Sequence, residues 1–455
     1  MTSFWFERAV VGDTVRNGVL LEEEGGRILR LTPDLTPPPG IAAFRGVALP
    51  GLATAHSHAF HRALRGRTHG DGGTFWSWRE RMYRAAAALS PESYYELARG
   101  VFAEMLLAGY TAVGEFHYVH HRPDGSAYAP ATAMAEAIGA AAADAGIRLT
   151  LLDTLYRFGG VDVRGGGGAG VAGGVANSGE LLPLAPEQVR FGDASATDFL
   201  NRHALLTETP LRRVGLAAHS LRAVTVADVV ALRSAFPDQV LHAHVSEQPA
   251  ENEQVDALLG LTPVGALAEA GVLGPGFTGV HLTHLADADI ALLADADAIA
   301  CFCPTTERDL ADGIGPARAL ADAGVRIALG SDQNAVVDPF EEIRGLEMDD
   351  RLASGRRGRF TPQKLVESAS VNGYASLGWP EGGRLVGGSL CDFVVVDDRS
   401  PRTAGADAAQ LWLAATGADV TDVVVGGSQV VRGRRHAFGD VGALLFDSIT
   451  ALEMP

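Results

Sequence analysis

The stretch VALPGLATAHSH at residues 47–58 is an apolar run that ends in two histidines, His56 and His58. Side chains two residues apart on a β-strand point to the same side, so a strand here brings both imidazoles to one place. Such a pair alone is common, and a hydrogen-bonded core histidine is the ordinary alternative. The pair is informative because three later apolar runs also end in polar residues, at His244, His281 and Asp332. The stretch therefore predicts the first strand of a fold whose strand ends converge on a metal site.

Eight such runs follow one another through the middle of the chain. Most are apolar throughout, as parallel strands buried on both faces are. Helix-like segments separate many of them, and one opens at Ser90-Pro91-Glu92 with an N-cap residue, a proline at the first helical position and an early acid. The predicted fold is α/β, a (β/α)8 TIM barrel with its active residues at the carboxyl ends of the strands. The eight runs are Val47–Ala55, Thr111–Phe116, Arg148–Leu155, Val214–Ala218, Gln239–Ala243, Thr278–Leu282, Ala298–Cys303 and Val325–Gly330.

Both ends of the chain are different from this middle. Residues before about 48 and after about 384 consist of short β-like segments punctuated by turn residues. The sequence thus predicts a small β-sandwich built from residues 1–48 and 384–455 around a barrel of residues 49–383. A glycine-rich stretch, Gly159–Gly174, lacks the signature of a phosphate loop and is interpreted as a loop.

Composition narrows the class of protein. The chain has 455 residues, of which 47% are hydrophobic and 20% charged, values typical of a soluble globular protein. Its formal net charge of −18 argues against nucleic acid or an anionic membrane as a partner. No uncharged apolar run reaches the roughly 20 residues of a membrane span. Three cysteines, Cys301, Cys303 and Cys391, make no disulfide framework, so we expect a cytoplasmic protein.

The strand ends suggest a metal site with its own acid and base. Zn²⁺ favours imidazole and carboxylate ligands, and Fe²⁺ is the second choice. Glu247, three residues beyond His244, is a candidate proton shuttle, with a solvated loop acid as the alternative. His281 is placed to assist at the attacked carbon. The predicted ligands are His56, His58, His244 and Asp332.

Other side chains near the strand ends suggest the substrate. Arg222 follows the fourth run in His219-Ser220-Leu221-Arg222, and Arg79 lies in WSWRER at residues 76–81. Guanidinium groups bind carboxylates in bidentate fashion, although an ordinary surface ion pair is the alternative for each arginine. Tyr118, after the second run, offers a hydroxyl. Several such donors around one metal predict a small acidic substrate.

Together these motifs resemble the amidohydrolase superfamily, and the resemblance spans nearly the whole chain. The fourth run offers no lysine, and the single lysine of the chain, Lys364, is far from any strand end, so the likeness is to the mononuclear deaminase branch. Within that branch the chain closely resembles the formimidoylglutamate deiminases of bacterial histidine degradation. The segments that carry the likeness are HSHAF (56–60), FWSWR (75–79), EFHYVHH (115–121), HSLRAV (219–224) and HVSEQ (244–248).

The resemblance implies hydrolysis of N-formimidoyl-L-glutamate to N-formyl-L-glutamate and ammonia by a homodimer with one Zn²⁺ per chain. It assigns the metal to the four ligands named above and catalysis to Glu247, His281 and Asp332. Arg79, Tyr118, His219 and Arg222 are the implied contacts to the substrate carboxylates. One residue departs from the pattern, because His61 stands where a substrate-contacting glutamine is expected, and a histidine contact there would be sensitive to pH.

Two other functions fit parts of the sequence. A second mononuclear deaminase, acting on a guanine-, cytosine- or adenosine-type base, would share the metal ligands but would need amide readers in place of two arginines. A non-catalytic barrel used as a scaffold would share the fold. Such scaffolds tend to lose metal ligands, whereas this chain keeps all four.

Overall fold

The computed structural model describes residues 1–70, 75–164 and 178–452. Residues 165–174 of the glycine-rich stretch lie outside the described residues. Among the described residues the strands are β1 Thr2–Val11, β2 Thr14–Glu24, β3 Arg27–Thr32, β4 Ala42–Pro50, β5 Leu52–Ser57, β6 Tyr110–His117, β7 Arg148–Leu155, β8 Gly160–Arg164, β9 Ser178–Leu182, β10 Arg212–Ala218, β11 Leu241–Val245, β12 Phe277–His281, β13 Ile299–Phe302, β14 Arg326–Leu329, β15 Phe393–Val396, β16 Val420–Val425, β17 Ser428–Arg432 and β18 Arg435–His436.

Helices alternate with these strands through the middle of the chain. Their starts carry the predicted signals: Ser90 caps one helix by accepting from the backbone N–H of Ser93, and Gly109 ends the same helix with φ of +109°. No described helix is both long and apolar enough to cross a lipid bilayer. The described α-helices are α1 Phe75–Ala87, α2 Pro91–Ala108, α3 Ala133–Ala145, α4 Ala196–His203, α5 Val226–Ala235, α6 Pro249–Leu259, α7 Pro263–Glu269, α8 Asp287–Asp295, α9 Pro304–Asp309, α10 Ala317–Asp322, α11 Pro339–Ser354, α12 Pro362–Ala369, α13 Val371–Ser376 and α14 Val441–Ala451.

Eight parallel strands form the predicted barrel, in the order β5-β6-β7-β10-β11-β12-β13-β14. The last strand returns to the first, where the carbonyl of His56 accepts from the backbone N–H groups of Ser331 and Asp332 at 3.1 and 3.0 Å. The side chains of Thr54 and Ser331 add a hydrogen bond of 3.0 Å across the same seam. All eight apolar runs contribute a strand, and the TIM barrel is confirmed.

The first run, however, is two strands rather than one. Val47–Pro50 belongs to β4 and pairs with Phe393–Val396 of the terminal sheet, whereas Leu52–Ser57 opens the barrel. Gly51 joins them because a Cβ there would lie 2.6 Å from the hydroxyl of Tyr374 and 2.7 Å from that of Thr111. Only glycine lets the backbone pass this crowded point between the two sheets.

The other large sheet is built from both ends of the chain, as predicted. Its order is β18-β17-β16-β15-β4-β1-β2-β3, and the β15–β4 pair joins the C-terminal strands to the N-terminal ones. Phe6 and Phe44 pack at 5.7 Å and Phe6 and Phe393 at 4.8 Å between ring centroids, so aromatic side chains fill this core. The domain boundaries at residues 48/49 and 383/384 stay predictions.

Candidate metal centre and substrate cavity

Three imidazoles and one carboxylate meet at the carboxyl end of the barrel. His56 on β5 places its Nε2 3.2 Å from Nε2 of His244 on β11 and 3.3 Å from Oδ1 of Asp332, which follows β14. Nε2 of His58 lies 3.4 Å from the same carboxylate oxygen. All four side chains are buried. The four predicted metal ligands therefore come together, although they are up to 276 residues apart in the chain.

Hydrogen bonds behind the cluster decide which imidazole nitrogens face it. Nδ1 of His58 donates to the carbonyl of Phe116 at 3.0 Å, and Nδ1 of His244 donates to the carbonyl of His219 at 2.9 Å. A carbonyl only accepts, so in a neutral ring Nε2 carries a lone pair toward the cluster. Burial holds the pKa of His58 and of His244 well below the usual value, which keeps both rings neutral.

A divalent ion fits this arrangement. A tetrahedral zinc ion with ligands at roughly 2.0–2.1 Å separates neighbouring donor atoms by about 3.3 Å, close to the distances among these nitrogens and Oδ1. Burial raises the pKa of Asp332, but its hydrogen bond with His56 and the positive charge of His281 outweigh burial and leave the pKa well below the usual value. Neutral imidazoles and a carboxylate are the ligand forms that Zn²⁺ takes.

The second oxygen of Asp332 faces the predicted catalytic pair. Oδ2 of Asp332 and Oε1 of Glu247 each lie 3.8 Å from Nε2 of His281. Asp332 and His281 have φ angles of +42° and +71°, a left-handed backbone that non-glycine residues seldom adopt. Strained residues of this kind cluster at functional sites because the surrounding structure holds them there.

Glu307, at the start of α9, is a partner of His281 that the sequence analysis missed. Its Oε1 accepts from Nδ1 of His281 at 3.4 Å and from the backbone N–H of Cys303 at 2.8 Å. Burial lowers the pKa of His281, but this hydrogen bond and the charges of Glu247 and Asp332 outweigh burial and raise the pKa well above the usual value. Glu307 also leaves Nε2 as the atom that faces Asp332 and Glu247.

One cavity of about 250 Å³ opens onto this cluster. Arg222 reaches it from the loop after β10 and lies 3.4 Å from Oε2 of Glu247 through Nη2. Burial lowers the pKa of Arg222, but Glu251 and Glu247 outweigh burial and raise it, so the guanidinium is a cation. Its Nε has no hydrogen-bond partner among the described residues. Apart from His56, every predicted site residue lines the cavity: His58, His61, Arg79, Tyr118, His219, Arg222, His244, Glu247, His281 and Asp332.

His61 behaves differently from the pH-sensitive contact that the sequence suggested. Its Nε2 lies 3.0 Å from the hydroxyl of Tyr118, and its ring lies 4.5 Å from that of His58 between centroids. Burial lowers the pKa of His61 to about 3. The ring therefore stays neutral at physiological pH, as the amide of a glutamine would.

Two tyrosines on the cavity wall, Tyr83 and Tyr156, were not anticipated. Tyr156 directly follows β7, so its place at the carboxyl end of a barrel strand was a signal available in the sequence. Tyr83 lies one helical turn after Arg79 on α1 and so shares its face. The side chains of Phe75 and Trp76, part of the same motif, lie outside what the structure describes.

Comparison with known proteins indicates the same family as the sequence motifs do. The sequence model of the amidohydrolase family matches residues 47–430. Formimidoylglutamate deiminase of Pseudomonas aeruginosa is 36% identical to the chain over 98% of both proteins. The crystal structure of an amidohydrolase from Brucella melitensis is 31% identical and superposes with a TM-score of 0.89 over 99% of this chain and 100% of that one. An adenosine deaminase from Xanthomonas campestris with bound zinc, 22% identical, shares the fold with a TM-score of 0.82 over 99% of this chain and 97% of its own.

Proposed function

The chain belongs to the amidohydrolase family and is a hydrolytic enzyme, and on that premise we propose that it hydrolyses N-formimidoyl-L-glutamate to N-formyl-L-glutamate and ammonia. The relative from Pseudomonas aeruginosa, similar along almost the whole chain, supports this choice among deaminases. The same resemblance extends the proposal to histidine degradation in the cytoplasm and to a homodimer.

The observation that carries the proposal is the pair of arginines in the cavity. Arg79 and Arg222 line the same 250 Å³ space as the histidine–aspartate cluster, in a protein whose formal net charge is −18. Two cations in one cavity match a substrate with two carboxylates. A neutral nucleobase has no carboxylate for these two guanidinium groups to bind, which disfavours the nucleobase deaminase alternative.

We assign the metal to His56, His58, His244 and Asp332, with one Zn²⁺ per chain preferred and Fe²⁺ as the alternative. When bound, such an ion acts as a Lewis acid that makes hydroxide available near neutral pH. The scaffold alternative is disfavoured because all four donors are present and face one another with neutral imidazoles and an ionised carboxylate.

The reaction adds one water to the formimidoyl carbon and breaks the bond from that carbon to its terminal nitrogen. Asp332 is the base: Oδ1 belongs to the ligand set, while Oδ2 is directed to His281 and accepts the proton of the attacking water. His281 holds the attacking oxygen through Nε2. Glu247 transfers the two protons of this water, the first by way of Asp332, to the departing nitrogen, which leaves as ammonia. Arg79 and Arg222 hold the carboxylates, so the unreactive end of the substrate orients the reacting carbon.

A substrate panel tests the proposal. Zinc-reconstituted protein is assayed for ammonia release from N-formimidoyl-L-glutamate, guanine, cytosine and adenosine in parallel. We expect release from the glutamate derivative alone. Release only from a base would overturn the substrate assignment and would favour the nucleobase deaminase. If none of the four compounds releases ammonia although stoichiometric metal is bound, the proposed substrate is rejected.

A further inference from the structure

A buried glutamine behind the cavity wall contacts both unanticipated tyrosines. Nε2 of Gln188 lies 3.1 Å from the hydroxyl of Tyr83 and 2.9 Å from that of Tyr156. The other end of the amide is oriented by the backbone, because Oε1 of Gln188 accepts from the N–H of Ala185 at 2.9 Å. A backbone N–H can only donate, so Oε1 and Nε2 cannot be exchanged.

This orientation determines what the two hydroxyl groups do. An amide nitrogen donates and does not accept, so a phenol oxygen can only be an acceptor toward Gln188. The carbonyl of Gly159, at 3.3 Å, shares the two amide hydrogens with the tyrosines, which are closer. Tyr83 also accepts from Arg79. Burial raises the pKa of Tyr83 in spite of these hydrogen bonds, so the phenol keeps its proton. Both hydroxyl hydrogens are therefore left to donate to something other than Gln188, and both tyrosines line the cavity.

The surroundings show which kind of acceptor would fit. The guanidinium carbon of Arg79 lies 5.3 Å from the centre of the Tyr83 ring. The ring of Tyr156 packs against that of His219 at 4.6 Å between centroids. Arg222 lines the same cavity with its Nε unpartnered among the described residues. Hydroxyl donors beside cationic groups are suited to an anion that needs several hydrogen bonds at once.

From this geometry we propose that Tyr83 and Tyr156 are substrate-binding residues that donate to the carboxylate held by Arg79, and that Gln188 is a positioning residue that turns both hydroxyls toward it. The inference rests on the proposed function, which it deepens by extending the carboxylate site beyond the arginines. It makes the site selective for substrates that carry this second carboxylate.

Phenylalanine substitutions test the hydroxyls without changing the shape of the wall. We expect Y83F and Y156F each to raise KM for N-formimidoyl-L-glutamate by about tenfold with kcat nearly unchanged, because each removes a hydrogen bond to the unreactive end of the substrate. The control is Y95F, a tyrosine of α2 whose hydroxyl donates to Asp144 instead. Calorimetric binding of N-formyl-L-glutamate gives the same comparison without turnover.

Truncated substrates separate recognition from general damage. Two analogues are assayed, one without the α-carboxylate and one without the side-chain carboxylate of the glutamate. On the analogue that lacks the carboxylate held by Arg79, we expect R79M, Y83F, Y156F and Q188M all to lose their effect. Substitution of a residue with only a structural role would lower the activity on both analogues equally. That result for Q188M would reject the positioning role of Gln188.

The two proposals fail in different ways. If the wild type releases no ammonia from N-formimidoyl-L-glutamate, the proposed function is wrong. If the wild type is active and both Y83F and Y156F keep KM and product affinity within about twofold of the wild type, the hydroxyl proposal is wrong. Near-ultraviolet circular dichroism identifies a variant that has not folded. If one of the two tyrosine variants does not fold, the other alone tests the hydroxyl proposal.

Discussion

Two buried clusters at opposite ends of the barrel strands differ in whether their polar atoms satisfy one another. At the amino end of β7, Arg148 holds Asp392 of the terminal sheet through bonds of 2.8 and 3.0 Å, and Tyr374 and Gly426 donate to the same carboxylate. At the carboxyl end, three imidazole nitrogens and Oδ1 of Asp332 face one another at 3.2–3.4 Å.

We interpret the cluster at the amino end as structural and the cluster at the carboxyl end as functional. The pair of Arg148 and Asp392 brings its own cation, its own anion and the donors that complete it, so it joins the two domains without any outside group. When its imidazoles are neutral, the cluster around Asp332 has no cation of its own, and under the proposed function a metal ion supplies that charge. Barrels of this kind carry their chemistry at the carboxyl end and their stabilising residues at the amino end, which matches the roles we propose for the two clusters.

The largest effect is expected when the incomplete cluster is changed. D332N removes both the proposed ligand charge and the proposed base, so we expect kcat to fall by at least about 10³-fold. The matched control is D256N, an exposed aspartate on α6. The comparison needs steady-state ammonia release and metal content for both variants. Activity in D332N within tenfold of the wild type would contradict the role of this carboxylate.

The opposite pattern is expected at the complete cluster. D392N leaves the buried cation of Arg148 without its counter-charge, so we expect the free energy of unfolding to fall by about 3–5 kcal/mol. The protein that remains folded should keep the wild-type kcat. Urea unfolding measures the first quantity and single-substrate kinetics the second. If D392N lowered kcat without lowering the free energy of unfolding, the structural interpretation of the pair of Arg148 and Asp392 would be wrong.

A third buried group, the side chain of Glu115 on β6, holds a proton in the folded protein at neutral pH. Its Oε1 accepts from the N–H of Ala59 at 2.6 Å, its Oε2 has no partner among the described residues, and burial raises its pKa to about 8. The folded state therefore binds this proton more tightly than the unfolded state, and the stabilisation is full below pH 4.5 and is lost as pH rises toward 8.

The expected size of this loss is about 3–5 kcal/mol over that range. E115Q should flatten the fall, because an amide does not titrate. Denaturant unfolding at several pH values measures it, with E269Q on the surface of α7 as the control. Equal pH dependence in E115Q and the wild type would show that other groups cause it.

A smaller effect is expected at the proposed substrate contact of Arg222. R222M removes one of the two cations, and we expect kcat/KM for the glutamate derivative to fall by about 10²-fold. R356M, at an exposed position, is the control. An unchanged kcat/KM in R222M would remove this residue from the substrate site and would weaken the choice of a dicarboxylate.

Much of the fold and of the candidate site could be predicted from the sequence because the signals are local. The eight runs are apolar throughout, and parallel strands all end at one side of a barrel, so the residues that follow them meet. The same reasoning would have reached Tyr156. Gly51 was misread as part of one strand because its crowding by Thr111 and Tyr374 depends on residues far along the chain.

The supporting contacts could not be predicted for the same reason. Glu307 orients His281 from a different β/α unit, and Gln188 meets Tyr83 across 105 positions of sequence. No periodicity or spacing records such pairs, since they arise only when loops at the barrel mouth pack together. The protonation of His61 was also hidden, because the burial that lowers its pKa is a property of the folded cavity.

The most direct measurement is a zinc titration of the metal-free protein with N-formimidoyl-L-glutamate as substrate, followed by ammonia release. We expect the rate to rise linearly with added zinc and to reach a plateau at one ion per chain. Activity that needs no metal, or no activity at any zinc concentration although one ion per chain is bound, would contradict this expectation.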